Sequence, residues 1–256
     1  MLIANKLGVG VLMALAVLSA RAEEVLVLSA AAVKTSIQGL PALLAAQGPD
    51  SAQLRFGTAG AMRDEAIAGA AFDIVVVPPP AMAELVKRGL VDPATQRPLG
   101  AVRLAAGVAA GRPVPDLSDL EAFKRSLLQA NSVGIADPAK GATTGIYLAG
   151  LFDKLGLAEA MKTRLRVYPE GQLAMEAAAA KEIDMAIGQM SEGSTVPGLS
   201  PLALLPDAVQ LRTVYVAALA QRAPHPQTAR KAMDLMLSPA VQQTFRRNGF
   251  DAVPQP

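Results

Sequence analysis

Apolar residues fall along this chain in short unbroken runs, separated by Ala- and Leu-rich segments with helical spacing. Residues 25–28 (VLVL) read as a buried strand, followed by a small-residue turn over 29–32 and an amphipathic helical stretch to about Gln47. Residues 54–57 read as a second strand and 61–67 as a helix. Residues 74–77 (IVVV) read as a third strand. The prolines at 78–80 end it and suit the start of a helix running through Arg88. The pattern then restarts: strands over 101–108, 133–136, 165–168 and 185–189 alternate with helices over 117–130, 143–155 and 172–180. A strand over 209–219 and helices near 228–236 and 239–248 close the chain. Strands apolar on every residue, alternating with helices, predict an α/β architecture with mainly parallel sheets covered on both faces.

Residues 1–22 stand apart. Lys6 precedes an apolar run over 7–18 (LGVGVLMALAVL), and Ala20-Arg21-Ala22 supplies a small-x-small cleavage pattern. The run is too short to span a bilayer, so a secretory signal peptide over 1–22 is expected; a buried N-terminal helix is the alternative. The exported chain is then expected to be soluble and periplasmic.

Two similar lobes are expected, one of 23–100 plus 212–256 and the other of 101–211. The chain would cross between them near 98–103 and 207–213. An internal echo supports this: residues 65–77 (EAIAGAAFDIVVV) align with 176–188 (EAAAAKEIDMAIG), placing Asp73 and Asp184 at equivalent helix-to-strand turns. Any such turn favours Asp, so the echo is suggestive by itself.

Composition narrows the chemistry. The 256 residues can bury a sizeable core. The absence of Cys removes disulfides, thiolate metal sites and cysteine nucleophiles, and a single His leaves no imidazole cluster. No metal site and no cofactor is expected. The formal charge of +2 is spread without a Lys/Arg run and with few aromatics, which excludes a nucleic-acid groove. Cleavage after Ala22 removes Lys6 and Arg21 but no acid, leaving 22 basic and 22 acidic side chains. Any anion binding must therefore come from local donors, not from a global field.

In parallel α/β sheets ligands sit beyond the carboxyl ends of strands, where helix N-termini present free N–H groups. Four turns fit: 29–32, 57–60 (GTAG), 137–144 (DPAKGATT) and 169–172 (PEGQ). They place Ser29, Thr58, Gly60 and Thr143 among the candidate anion-binding residues, although an N-cap or turn would explain any one of them. The G-x-S-x-G, G-x-x-x-x-G-K-[ST] and G-x-G-x-x-G signatures are absent from the mature chain. His225 lies between two prolines and reads as a loop residue. Asp64 and Glu65, adjacent on a helix, face different directions.

Several segments, in order, carry a resemblance: 27–33 (VLSAAAV), 56–62 (FGTAGAM), 70–77 (AAFDIVVV), 136–147 (ADPAKGATTGIY) and the terminal 237–250. The chain resembles bacterial extracellular solute-binding proteins of the molybdate-binding type, which have a two-lobed type II periplasmic-binding-protein fold. The resemblance implies backbone donors at Thr144 and Gly171. It also implies that the two serine donors of molybdate binders fall on Ala32 and Ala59, and their pocket tyrosine on Gln189. A buried oxyanion loses about 1–3 kcal/mol per missing donor, so molybdate itself is not the expected ligand. The implied role is capture of a small oxyanion or organic carboxylate by a monomer, with an ABC permease in the inner membrane as the possible partner. The chain is also similar to the family's aconitate isomerase-like branch, through Asp-Pro-Ala and a small turn, and through Ser191-Glu192 after the last strand of the second lobe. On that alternative the protein is a tricarboxylate isomerase performing an allylic proton shift, and Glu170 is the candidate base.

Overall fold

The computed structural model describes residues 22–253; the expected signal segment lies outside them but for Ala22. Its strands are β1 (Glu24–Ala30), β2 (Ser51–Gly57), β3 (Ile74–Val77), β4 (Arg97–Gly107), β5 (Val133–Ala136), β6 (Leu165–Tyr168), β7 (Met185–Gln189), β8 (Ala203–Leu204), β9 (Arg212–Leu219) and β10 (Phe250–Asp251). Among them lie helices α1 (Lys34–Ile37), α2 (Leu40–Ala45), α3 (Ala59–Ile67), α4 (Pro79–Lys87), α5 (Leu120–Gln129) and α6 (Thr143–Lys154). The rest are α7 (Ala158–Lys162), α8 (Gly171–Ala179), α9 (Met190–Gly193), α10 (Pro226–Leu237) and α11 (Pro239–Arg247). Among the described residues no helix is long and apolar enough to cross a membrane.

The strands form one curled mixed sheet in the order β2-β1-β3-β9-β4-β7-β5-β6, with β8 and β10 also on β4. β1 pairs parallel with β2 and β3, and β5 pairs parallel with β6 and β7. β9 runs antiparallel to both β3 and β4. β4 changes partner partway along. Its first residues, through Arg103, pair with β9, and Leu104–Gly107 pairs with β7. Gln210 clamps this junction: its Oε1 accepts from the Leu104 N–H (2.7 Å), and its Nε2 donates to the carbonyls of Leu104 (3.2 Å) and Leu205 (3.0 Å).

Strand periodicity explains why the sheet is covered on both faces. Val27, Ile74 and Val76 enter one apolar cluster with Ile37, Leu44, Met236, Phe245 and Phe250. Their neighbours Leu28, Val75 and Val77 point the other way, into a cluster with Met62, Phe72 and Leu85. In the second half, Val133, Ile135, Met185 and Ile187 pack with Phe123, Leu148 and Phe152. Ala186 points to the opposite face and packs with Met175 and Ile183. The echoed aspartates perform matching tasks. Asp73, only 2% exposed, accepts from the N–H groups of Leu26 (2.9 Å) and His225 (2.7 Å). Asp184 accepts from the Asn131 N–H (2.8 Å) and from Arg112 (2.6 Å).

Four strands have the bounds expected from the sequence: β3, β5, β6 and β7. The amphipathic stretch to Gln47 is instead broken into a 3-10 turn, α1 and α2, because Gly39 and Pro41 interrupt it. β2 starts at Ser51 and β4 at Arg97, both earlier than their apolar cores, since ladder pairing with β1 and β9 satisfies the backbone whatever the side chains. β9 starts at Arg212, after a 3-10 turn at Asp207–Val209.

Candidate functional site

The strand ends converge as the alternation requires. The turns after β1, β2, β5, β6 and β7 meet at one cavity of about 30 Å³ between the two halves of the sheet. That is room for about two water molecules. Its walls are Ala30, Ala31 and Ala32; Gly57, Thr58 and Ala59; Ala136, Ala142, Thr143 and Thr144; and Glu170, Gly171, Gln189, Glu192 and Tyr215. The N-termini of α3, α6 and α8 point at it. First-turn N–H groups, here those at Ala59, Thr143 and Thr144, lack intrahelical acceptors, which gives the cavity anion-binding character. Among the described residues no Lys, Arg or His side chain lines it.

The halves touch beside the cavity. The Gly60 N–H donates to the Gly141 carbonyl (3.1 Å), and the Thr58 hydroxyl donates to the Lys140 carbonyl while accepting from the Ala61 N–H as the cap of α3. A Cβ on Gly60 would lie 2.6 Å from Gly141 Cα, so this approach requires glycine. Gly141 also has a left-handed φ of 72°.

Glu192 is the chemically distinctive group. It is only 9% exposed, and its carboxylate accepts from the Gln189 N–H (2.8 Å) and from that of Gly171. Gln189 and Glu192 form a reciprocal capping box on α9. Burial pushes the Glu192 carboxyl up to about 7. The charge of Glu170 adds to the rise, and the two N–H groups oppose it. Two glycines make room for this carboxyl: a Cβ on Gly171 would lie 2.2 Å from Glu192 Oε2, and one on Gly188 3.0 Å from it. Tyr215, 2% exposed, donates its hydroxyl to Gln189 Oε1 (3.0 Å). Burial drives the Tyr215 pKa far upward, so the phenol stays a donor.

The cavity brings together Ala32, Thr58, Ala59, Thr143, Thr144, Glu170, Gly171 and Gln189 from the sequence expectation. It does not include Ser29, which is fully buried with its hydroxyl donating to the Ala30 carbonyl (3.2 Å). Nor does it include Gly60, which is closed against Gly141. Glu170 sits at the N-cap of α8 without capping it, half-buried at the cavity wall. His225 is the N-cap residue of α10, away from the cavity. Sequence reasoning finds Ser191-Glu192 without giving Glu192 a role, and it misses Tyr215. The Gln-x-x-Glu spacing after a buried strand is the available signal for Glu192. Tyr215 has none beyond being the polar-tipped residue of an apolar strand.

Comparison with known proteins gives a consistent picture. Residues 25–251 match the model of the bacterial extracellular solute-binding protein family. An aconitate isomerase from a Pseudomonas species is 31% identical over 183 residues, covering 71% of this chain and 68% of that protein. The periplasmic molybdate-binding protein of Azotobacter vinelandii superposes with a TM-score of 0.74 at 15% identity, over 90% of this chain and all of that one. The sulfate-binding protein SubI of Mycobacterium tuberculosis superposes with a TM-score of 0.69 at 17% identity, over 90% of this chain and 87% of that one. Both structures have the type II periplasmic-binding-protein fold.

Proposed function

The chain belongs to the bacterial extracellular solute-binding protein family, and from that premise we propose that it captures a small organic carboxylate in the cavity between its halves. Residues 23–100 with 212–256 form one lobe on this reading, and 101–211 the other. The protein is exported to the periplasm by its signal peptide, and a permease in the inner membrane is the partner that transport would require. Ala32, Ala59, Thr143, Thr144, Gly171 and Gln189 surround the ligand. The observation that carries the organic reading is the wall itself. Alanines stand at 32 and 59, the Thr58 hydroxyl is spent on Ala61 and Lys140, and the remaining donors are backbone N–H groups, the Thr143 and Thr144 hydroxyls, the Gln189 amide and Glu192 in its protonated form. A carboxylic acid near neutrality can donate to a carboxylate oxygen, which a carboxylate cannot do. With about 30 Å³ free between the halves, parting of the lobes is the entry route for an organic carboxylate on this reading.

A second reading is favoured by the Glu170–Glu192 pair and by the isomerase relative: the captured tricarboxylate is isomerised. In an allylic shift between trans- and cis-aconitate, a carboxylate takes a proton from the methylene carbon. The double bond moves by one carbon, and a carboxylic acid returns a proton to the far carbon. Glu170, half-buried at the wall, is the base; Glu192, whose carboxyl burial pushes up to about 7, is the acid in its protonated form. A thermal-shift panel of molybdate, tungstate, sulfate, citrate, cis-aconitate and trans-aconitate on the exported chain tests both readings. Stabilisation by the carboxylates is expected, and a response to molybdate alone overturns the organic reading. If trans-aconitate binds but its proton NMR spectrum is unchanged after hours with the protein, the isomerase reading falls and capture stands.

A further inference from the structure

Beyond the Gly60–Gly141 contact lies a second cavity, far larger, at about 560 Å³. It shares Ala59 and Thr143 with the first but none of its acidic groups. Its floor is apolar. The residues Pro78, Pro79 and Pro80 that end β3 meet Ile146 and Tyr147 of α6 and Leu211 at the foot of β9. Ile146 is 55% exposed there, an unusual position for a large aliphatic side chain on a helix that buries Leu148, Leu151 and Phe152. Among the described residues the only charged groups in the wall are cationic, Arg63 and Arg212. Arg63 is bonded to its neighbour Asp64, whereas the Arg212 guanidinium has no partner among the described residues. Thr213, also in the wall, is 5% exposed, and its hydroxyl is buried without a hydrogen-bond partner. Concave sites of about 300–1,000 Å³, mostly apolar with a few polar groups, are the usual form of a small-molecule pocket.

We infer that this cavity is a separate binding site for an amphipathic organic anion, an aromatic or aliphatic body bearing one carboxylate. The apolar body lies against the proline run, Ile146 and Leu211, and the carboxylate pairs with Arg212 and the free edge of Arg63. The occupant is anionic because every charged side chain in the wall is positive, and its body is apolar because, apart from the hydroxyls of Thr143, Tyr147 and Thr213, the other side chains of the wall are hydrocarbon. The site lies on the far side of the lobe contact, so it can be filled while the first cavity is closed.

The test uses 1-naphthoate and its uncharged analogue 1-naphthamide, each titrated calorimetrically into the exported chain. One-site binding of 1-naphthoate is expected, with 1-naphthamide at least about tenfold weaker. Arg212→Ala, at an exposed position, should narrow the gap between the two probes several-fold, with Arg63 retaining the remainder; an unchanged gap overturns the inference. Ile146→Glu, also exposed, should abolish naphthoate binding by placing a carboxylate at the mouth. The thermal midpoint of both variants should stay near wild type, which separates a lost site from a lost fold. Equal affinity for the two probes in the wild type, or undiminished naphthoate binding by Ile146→Glu, overturns the inference. Neither outcome depends on what occupies the smaller cavity.

Discussion

Replacing Glu192 by Gln isolates one carboxyl in the stability of the whole protein. In the folded state the Glu192 pKa is about 7, against 4.5 for the free side chain. The folded protein therefore binds this proton more tightly than the unfolded chain does, and the sign is the reverse of an ordinary salt-bridged carboxylate. The contribution is fully present below pH 4.5 and is lost as pH rises through about 7. At about 1.36 kcal/mol per pH unit, the full span amounts to about 3 kcal/mol. A glutamine side chain puts a donor NH2 where one carboxyl oxygen stood, which adds a constant offset of about 1–3 kcal/mol. A constant offset has no slope. Urea unfolding of both proteins from about pH 4 to about pH 8 should thus give a stability difference that changes by about 3 kcal/mol across that window, with the Glu192→Gln variant gaining on the wild type as pH rises. The carboxylates held low elsewhere, such as Asp50, Glu84 and Asp184, titrate identically in both proteins and cancel. Two parallel curves would refute the buried, proton-bearing Glu192 and with it the acid role proposed for this residue.

Three further outcomes follow from the geometry. Gly171→Ala places a methyl group 2.2 Å from Glu192 Oε2, so it should cost about 1–3 kcal/mol in unfolding experiments, and much less in a Glu192→Ala background. Gly60→Ala drives a methyl group against the Gly141 backbone and should hold the lobes apart; small-angle scattering should report a larger radius of gyration than wild type, and an unchanged radius would contradict the contact. The Arg112 hydrogen bond, foremost among several causes, holds the Asp184 carboxyl below its ordinary 3.8, so their pairing stabilises above that pH and is lost as pH falls. Both side chains are partly exposed, so Arg112→Ala should cost about 1 kcal/mol or less near neutrality, a gap that closes as acid protonates Asp184 at pH values below its ordinary 3.8.

Most strands are readable because burial on both faces leaves a plain trace: IVVV at 74–77 can hardly be anything but an interior strand, and Pro78 marks its end. Edge strand β2 reads too short because Ser51 and Gln53 interrupt the apolar run, although their backbones pair with β1 all the same. The helix to Gln47 reads too long because amphipathic spacing continues across Gly39 and Pro41 while the backbone does not. At the site, turns at strand ends can be found from neighbours in sequence. Glu192 cannot be weighed that way. Its burial depends on the missing side chain of Gly171, 21 positions earlier, and its altered proton affinity depends on that burial. Ser29 illustrates the opposite error. A hydroxyl in a suggestive turn reads as a donor to ligand, whereas the last residues of β1 turn it inward to the carbonyl beside it.

The apolar cluster around β1 draws Val25, Val27 and Ile37 from the beginning of the chain and Met236, Phe245 and Phe250 from its end. The edge-to-face stack of Phe245 on Phe250, with ring centres 4.9 Å apart, is part of that cluster. For a chain that emerges from a ribosome or a translocation channel N-terminus first, the first half is therefore synthesised early and completed last. Until β9, α10 and α11 arrive, β3 has an unpaired edge and β1 an uncovered face, while every strand of the second half from β5 to β7 already has its partners. The order of birth along the chain is thus the reverse of the order of closure. The first half therefore waits on contacts that are the most distant in sequence, which is where loop-closure entropy makes folding slowest.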